Sequence, residues 1–153
     1  MKVEQQVKAE PATVWAVVTD LPRFAQIADV VSLERLDDGA DFGVGTRWRE
    51  TRRMFGREAT EEMWVSSIEP GRSYVTEAES HGTHYRSRIT ITGDAGGGCL
   101  LTMDFAGTGT SLITKAMGAT VGRLFEGPTR KALQADLAAI AAAAEADEAT
   151  AAG

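Results

Sequence analysis

Apolar and polar side chains alternate over residues 2–8, where Val3 and Val7 are separated by charged and amide residues. This period of two predicts a strand with one buried face. Pro11 then marks the start of a predicted helix, because proline is favoured in the first helical turn. Asp20 is placed to cap a second short helix, and residues 30–36 predict another strand.

The middle of the chain predicts a β-hairpin with a defined register. Two strand-like runs within residues 44–68 flank Phe55-Gly56, a predicted tight turn. One face of this hairpin carries oppositely charged pairs and a cation–π pair, and is therefore predicted to face solvent. Its pairs are Arg53–Glu58, Arg49–Glu62 and Arg47–Trp64. The other face is predicted to point inward, with pairs Arg52–Ala59, Glu50–Glu61, Trp48–Met63 and Thr46–Val65.

A second hairpin is predicted around the turn His81-Gly82. Its outward pairs are Glu79–His84 and Glu77–Arg86. Its inward pairs are Ala78–Tyr85, Thr76–Ser87 and Tyr74–Ile89. A slip of one residue would exchange the two faces, so the separation of charged from apolar pairs supports this register.

A long apolar stripe with helical spacing follows Gly107-Thr108-Gly109. It runs through Leu112, Ile113, Met117, Val121, Leu124, Phe125, Leu133, Leu137, Ile140 and Ala144. Gly127-Pro128 predicts a kink or break near Glu126. Residues 1–145 are predicted to form one domain, and residues 146–153 a flexible C-terminal tail.

In chain order, the pattern predicts one strand, two short helices, about six more strands and a long helix. Consecutive hairpins form an antiparallel sheet with one apolar face. The terminal helix is the only predicted element long enough to cover that face. We therefore expect an α+β fold in which a curved antiparallel sheet of about seven strands packs against one long C-terminal helix.

The composition narrows the function classes. A formal net charge of −6 argues against a nucleic-acid binder, which needs a dense cationic face, and against docking on anionic membranes. No apolar run approaches the roughly 20 residues that span a bilayer, and the polar start differs from a signal peptide. We expect a cytoplasmic protein without stable membrane insertion; the oligomeric state is left open, a homodimer included.

Four stretches resemble the START-like superfamily, also called SRPBCC, and within it the polyketide cyclase/dehydrase and lipid-transport branch. They are PATVWAVVTD (residues 11–20), GVGTRW (43–48), IEPGR (68–72) and LQADL (133–137). The likeness extends from Lys2 to about Glu145. It implies a helix-grip fold with a cavity between sheet and helix. Members of the superfamily include lipid carriers, hormone receptors, aromatase/cyclases and coenzyme-Q-binding proteins, so the fold implies a pocket without naming its contents.

The inward cluster of Glu50, Arg52 and Glu61 is the candidate catalytic site. Like charges in a shielded place raise the pKa of one carboxyl group, unless Arg52 lies between them and offsets the repulsion. Such a cluster can supply an acid, or a clamp for a carbonyl, enolate or carboxylate. It equally fits a self-satisfied polar network that stiffens the sheet.

The inward positions also predict an apolar wall with a few hydroxyl groups, as ligand pockets need. The candidate ligand-binding residues are Trp48, Met63, Tyr74, Thr76, Tyr85, Ser87, Met103, Met117, Val121 and Phe125. The same side chains also fit a filled core. The superfamily resemblance, and not the residues themselves, favours the cavity.

His81 and His84 form a His-x-x-His pair across the second predicted turn. Zinc needs at least a third ligand and no Cys/His set stands nearby, so neither a metal nor a cofactor is predicted. Solvated histidines are the default interpretation, and a catalytic His81 at the cavity mouth is the alternative. Cys99 is the single cysteine, excludes a disulfide within the monomer and is predicted to lie in the core.

Three functions from different classes fit these observations. The first is binding of a small hydrophobic molecule such as a polyketide, lipid or isoprenoid. The second is a polyketide aromatase/cyclase or dehydratase that uses Arg52 with Glu50 or Glu61 for enolisation and proton transfer. The third is a protein-interaction module with no ligand. No nucleophilic triad is recognisable, which argues against a hydrolase.

Overall fold

The computed structural model describes residues 1–39, 41–54, 56–109 and 112–153, and the side chains of Met54 and of residues 112–125 lie outside this description. The strands are β1 (Lys2–Val7), β2 (Ser32–Arg35), β3 (Arg47–Met54), β4 (Arg57–Glu69), β5 (Ser73–Ser80), β6 (Thr83–Gly93) and β7 (Cys99–Gly109). The helices are α1 (Pro11–Val18), α2 (Leu21–Ile27) and α3 (Leu112–Ala152). Within the described residues, the strands form one sheet in the order β1-β7-β6-β5-β4-β3-β2, and every neighbouring pair is antiparallel. The predicted α+β architecture is confirmed.

The register of the first hairpin is the predicted one. Glu50 lies opposite Glu61, and Arg47 lies opposite Trp64 with its guanidinium 5.0 Å from the ring centroid. Gly56 adopts a φ of 74°, a conformation that glycine reaches without steric cost. The predicted turn residue Phe55 lies outside the described residues.

The second hairpin is also confirmed, with Glu79 opposite His84 and Ala78 opposite Tyr85. His81 and Gly82 both have positive φ values, 49° and 75°. Two consecutive left-handed residues make a two-residue turn whose twist matches that of the flanking strands.

The inner face of the sheet is the face that packs against the helices. Its strands contribute side chains that are less than a tenth exposed, and α1 and α3 cover them. Leu137 and Ile140 of α3 are 0% and 1% exposed, as expected for a helix whose apolar stripe faces a sheet. The strand members of this core are Val3, Val7, Trp48, Val65, Tyr74, Ile89, Ile91, Cys99, Leu101 and Met103.

Helix α3 differs from the prediction at two places. It continues through Pro128, so of the kink or break expected near Glu126 the break is absent from this helix. Just beyond the proline, Arg130 donates to the carbonyl of Lys2 at 2.9 Å and Gln134 to the carbonyl of Glu4 at 3.0 Å. These contacts with β1 hold the helix where proline removes one of its own hydrogen bonds.

The expected flexible tail, residues 146–153, is instead helical as far as Ala152. Arg23 of α2 donates to Asp147 at 2.7 Å, and the hydroxyl of Thr13 in α1 donates to Glu148 at 2.6 Å. The two short helices therefore supply partners for the last turns of α3. No helix in the described part of the chain is both long and apolar enough to cross a bilayer.

Candidate functional site

Arg52 joins two carboxylates that come from different layers of the fold. Its Nε donates to Glu50 of the same strand, and its two terminal nitrogens lie 3.1 and 3.0 Å from the two oxygens of Asp136 on α3. Glu50 also accepts a hydrogen bond of 3.3 Å from the indole N–H of Trp48. All three guanidinium nitrogens thus already bond to carboxylates, which is the bidentate geometry that arginine favours.

This cluster is shielded from water. The side chains of Glu50 and Asp136 are 3% and 7% exposed, and that of Arg52 is 23% exposed. Burial opposes the charge on Arg52, but Glu50 and Asp136 outweigh it and raise the pKa of the guanidinium. Burial is also the largest influence on Asp136 and raises the pKa of its carboxyl group, against the attraction of Arg52.

Glu61 lies next to this cluster, opposite Glu50 on the neighbouring strand. Burial is the largest influence on its carboxyl group and raises its pKa, and the charge of Glu50 adds to that rise. Ser80, His81 and Arg52 lower the pKa of Glu61 without cancelling the rise. Of the three predicted catalytic residues, Glu50 and Arg52 are bonded to each other and Glu61 stands apart.

Several residues of the predicted ligand wall lie within the packed core. Tyr74 is 7% exposed, its hydroxyl donates to the Val18 carbonyl at 3.0 Å, and its ring contacts Trp15 and Phe42. Burial raises its pKa, and Glu50 adds to that rise. Trp48, Thr76 and Met103 are likewise less than a tenth exposed.

Three other predicted wall residues, Met63, Tyr85 and Ser87, are half-buried on the inner face. Phe105 lies opposite Ser87 and is also half-buried, and its ring stacks on that of Tyr85 with centroids 5.8 Å apart. The structure therefore brings an aromatic pair and a hydroxyl group together on neighbouring strands. We call Met63, Tyr85, Ser87 and Phe105 the tip patch, since they lie toward the hairpin tips.

The remaining predicted wall residues, Met117, Val121 and Phe125, belong to α3, but their side chains lie outside the described residues. The two histidines have separate surroundings. His81 Nδ1 lies 2.8 Å from the Ser80 hydroxyl, whereas the ring nitrogens of His84 lie 3.3 and 3.5 Å from Glu77 and Glu79. Among the described residues, no group of three or more His, Cys, Asp or Glu side chains is arranged to hold a metal ion.

The family described as "Polyketide cyclase / dehydrase and lipid transport" matches residues 1–145, nearly the whole chain. The chain belongs to this polyketide cyclase/dehydrase and lipid-transport family. The resemblance inferred from the four sequence stretches is thereby confirmed. No curated protein matches the chain with significant sequence similarity.

Solved structures with the same fold extend this family assignment. The protein TTHA0849 of Thermus thermophilus is 17% identical, with a TM-score of 0.77 over 96% of this chain and 97% of that one. The di-domain aromatase/cyclase StfQ of the steffimycin biosynthetic pathway is 11% identical, with a TM-score of 0.78 over 96% of this chain and 50% of that one. Norcoclaurine synthase of Thalictrum flavum is 16% identical, with a TM-score of 0.70 over 94% and 92%. At these identities the likeness establishes the fold.

One surface crevice of this family member, about 490 Å³ in volume, lies away from the tip patch. It borders the end of β1 and the connection between β6 and β7. Two of its carboxylates are already engaged, because Asp94 accepts from Gln6 and from the Gly96 backbone, both at 2.8 Å, and Glu148 accepts from Thr13. These bonds join structural elements, so the crevice is a weaker candidate site than the inner face.

Asp136, Ser80 and Phe105 are site residues that the sequence reasoning missed. Asp136 follows Leu133 by three positions and precedes Ile140 by four, which places it on the buried stripe of α3. An acidic residue within the apolar stripe of a helix is the sequence feature from which a buried, paired Asp136 could have been predicted. Ser80 and Phe105 follow from extending the predicted alternation of β5 and β7 by one more inward position.

Proposed function

We propose that the chain binds a small, largely apolar molecule over the tip patch. The observation that carries this proposal is a difference in exposure along one face of the sheet. Tyr74, Ile89 and Met103 are 6–8% exposed, whereas Tyr85, Ser87 and Phe105, further along the same face, are only half-buried. Aromatic side chains left half-buried on a face that is otherwise core suit a ligand that completes their burial.

The patch limits the chemistry of the ligand. The stacked rings of Tyr85 and Phe105 and the thioether of Met63 favour a flat or flexible hydrocarbon skeleton. The hydroxyl groups of Tyr85 and Ser87 offer hydrogen bonds to carbonyl or hydroxyl oxygens. A polyketide, an isoprenoid or a lipid with oxygen functions satisfies both requirements. We propose that Met117, Val121 and Phe125 contribute the helix side of this site.

A matched pair of substitutions tests the location. Ser87→Trp places a large ring in the patch, while Arg88→Trp places the same ring on the outer face of the same strand. Binding is measured by native mass spectrometry and thermal shift with a panel of lipids, quinones and polyketides. A ligand that binds only the native state raises the melting temperature. We expect Arg88→Trp to keep that rise and Ser87→Trp to lose it.

The same measurements also contain the result that would overturn the proposal. If no member of the panel shifts the melting temperature, and protein purified from its own host carries no bound mass, the site is not a ligand site. That outcome would favour the protein-interaction module. A thermal shift that survives Ser87→Trp would place the ligand elsewhere.

A second candidate function is cyclase or dehydratase catalysis, and Glu61 favours it. A half-buried carboxyl group whose pKa is raised is a stronger base than an exposed carboxylate, which suits the proton removal that enolisation of a bound ketone requires. Arg52 and Glu50, which were predicted to share this task, are proposed here to hold the helix and the sheet in place. Their hydrogen bonds are already made within the protein.

The two candidate functions differ in their response to Glu61→Gln. For a carrier, this variant keeps its affinity for the apolar ligand and has no activity to lose. For a cyclase, it binds a linear poly-β-ketone thioester normally and no longer accelerates its cyclisation. The readout is product formation by mass spectrometry, with Glu62→Gln on the outer face of the same strand as the control. Equal turnover by both variants would remove Glu61 from the mechanism.

A further inference from the structure

A row of polar side chains borders the tip patch on the inner face of the sheet. Met63 of β4 pairs with Ala78 of β5. Glu61 and Ser80 lie two residues further along these strands, toward the hairpin tips, and Thr83 of β6 lies opposite Ser80. Side chains two residues apart on a strand point to the same face, so these three residues continue the face of the tip patch. We call Glu61, Ser80 and Thr83 the polar row.

The polar row meets the tip patch over Gly107. A side-chain carbon added at Gly107 would lie 3.5 Å from the methyl carbon of Thr83 and 3.2 Å from the ring of Tyr85. The two side chains therefore lie next to each other above the same glycine. All three residues of the polar row are half-buried, as Tyr85 is. A molecule that covers the rings of the tip patch thus reaches the polar row at its end nearest the hairpin tips.

The arginine nearest to the polar row does not offer an unused charge. Arg52 lies opposite Ala59, which is two residues from Glu61. Its three guanidinium nitrogens already bond to Glu50 and Asp136. An anionic group that bound Arg52 would have to displace one of these buried carboxylates, which would then lose its partner.

Two further arginines on the inner face of the described strands also leave the polar row without a positive charge. Arg35 of β2 donates to Asp37 from Nε at 2.7 Å and from a terminal nitrogen at 3.0 Å. Arg57 is exposed and lies four residues beyond Glu61, roughly 13 Å along the strand, where water and salt screen its charge. Among the described side chains, the polar row therefore has the negative charge of Glu61 and no unengaged arginine or lysine beside it.

We propose that the molecule bound at the tip patch is an apolar alcohol whose hydroxyl group lies at the polar row, and that the site excludes acids with the same skeleton. This inference rests on the proposed ligand-binding function and names the class of its ligand. A hydroxyl group donates to the carboxylate of Glu61 and accepts from the hydroxyl group of Ser80 or Thr83. A carboxylate in the same place lies beside a like charge that is only half open to water, which opposes binding.

Three probes with one chain and different head groups test this preference. They are lauryl alcohol, methyl laurate and lauric acid, and their affinities are measured by isothermal titration calorimetry. The pH is kept at about 8, well above the ordinary range of carboxyl groups, because burial raises the pKa of Glu61. We expect the affinity to fall in the order alcohol, ester, acid, with the acid at least about tenfold weaker than the alcohol. The ester has no donor for Glu61, and the acid adds the like charge.

A matched pair of variants assigns the preference to Glu61. In Glu61→Gln, the amide oxygen still accepts from the alcohol, so the alcohol should keep its affinity while the acid gains at least about threefold. Glu62→Gln, on the outer face of the same strand, should reproduce the wild-type order. Ser87→Trp, which fills the tip patch, should lose all three probes.

The outcomes separate this inference from the proposed function. An acid or an ester that binds the wild-type protein as tightly as the alcohol overturns the inference, and so does an unchanged affinity of Glu61→Gln for the acid. A lauryl alcohol that does not bind, when another molecule of the ligand panel does, overturns it as well. In each of these cases the tip patch remains a ligand site. If no molecule of the panel or of this series binds, the proposed function itself fails.

Discussion

The ring of Tyr85 lies directly over Gly107 on the neighbouring strand. A side-chain carbon added at Gly107 would come within 3.2 Å of two ring carbons of Tyr85, closer than ordinary van der Waals contact. The absence of a side chain at Gly107 therefore makes room for the ring on the sheet. In this position Tyr85 also stacks on Phe105, so the glycine supports the aromatic pair of the tip patch.

Gly107→Ala should be coupled energetically to Tyr85. In a Tyr85→Ala background, the change should stabilise the protein by about 0.4–1 kcal/mol, because alanine reduces the freedom of the unfolded chain. With Tyr85 present, the ring must move and the gain should disappear. We expect a coupling free energy of about 0.5–1 kcal/mol from urea unfolding of the four proteins. A coupling near zero would mean that the ring does not depend on the glycine.

Substitution of Tyr74 should affect mainly stability, whereas substitution of Tyr85 should affect mainly ligand binding. Tyr74→Phe leaves the buried Val18 carbonyl without its donor, and should lower the free energy of unfolding by about 1–3 kcal/mol. Ligand affinity, measured by titration at a temperature where the variant is folded, should be unchanged. Tyr85→Ala should reduce affinity at least tenfold with a smaller loss of stability. The reverse pattern would move the ligand site from the tip patch into the core.

Removing Asp136 alone should cost more stability than removing all three charges of the cluster together. We expect Asp136→Ala to lower the free energy of unfolding by about 3 kcal/mol, because it leaves a mostly buried guanidinium short of a counter-charge. The triple variant Glu50→Gln, Arg52→Met, Asp136→Leu should recover most of that loss, since all three charges of the cluster are removed together. Asp147→Ala, which breaks an exposed ion pair at the end of the same helix, is the control and should have a small effect.

The stability of the protein should depend on pH through two carboxyl groups with opposite signs. The pKa of Glu61 is raised above 4.5, so its protonated form favours the folded state and its contribution is lost as the pH rises through that raised value. The pKa of Asp147 is lowered below 3.8 by its hydrogen bond with Arg23, so its contribution is present above 3.8 and lost at lower pH.

Urea unfolding of Glu61→Gln and Asp147→Asn at several pH values tests this difference. As the pH rises above about 4.5, the free energy of unfolding of Glu61→Gln should increase relative to that of the wild-type protein, because the variant lacks a buried charge. As the pH rises from below 3.8, the free energy of unfolding of Asp147→Asn should decrease relative to that of the wild-type protein. Slopes of the same sign for the two variants would contradict the assignment.

The strand registers were predictable because each depends on local information. A two-residue turn and a period of two together determine which residues face each other, and Glu50–Glu61 and Ala78–Tyr85 follow directly. The cation–π pair of Arg47 and Trp64 is a consequence of the same register. Hairpins of this kind can therefore be placed without knowledge of the rest of the fold.

The contacts that these residues make with distant parts of the chain were harder to predict from the sequence. Arg52 and Asp136 are separated by 84 positions, and no local pattern relates a strand to one turn of a distant helix. The helical end of the chain was missed for a similar reason. Its alanine-rich sequence lacks large apolar side chains, and its side-chain partners Arg23 and Thr13 lie more than 120 positions earlier.

The contact between Arg52 and Asp136 also determines where the long helix can rest. Leu137, Ile140 and Ala144 offer the sheet a nearly uniform hydrocarbon surface, over which a shift by one helical turn of about 5.4 Å would exchange one apolar contact for another. The same shift would separate Asp136 from the terminal nitrogens of Arg52 and leave a buried carboxylate without its partner, a penalty that apolar packing alone does not impose. The ion pair thus fixes the register between the two surfaces and keeps the helix at one position along the sheet.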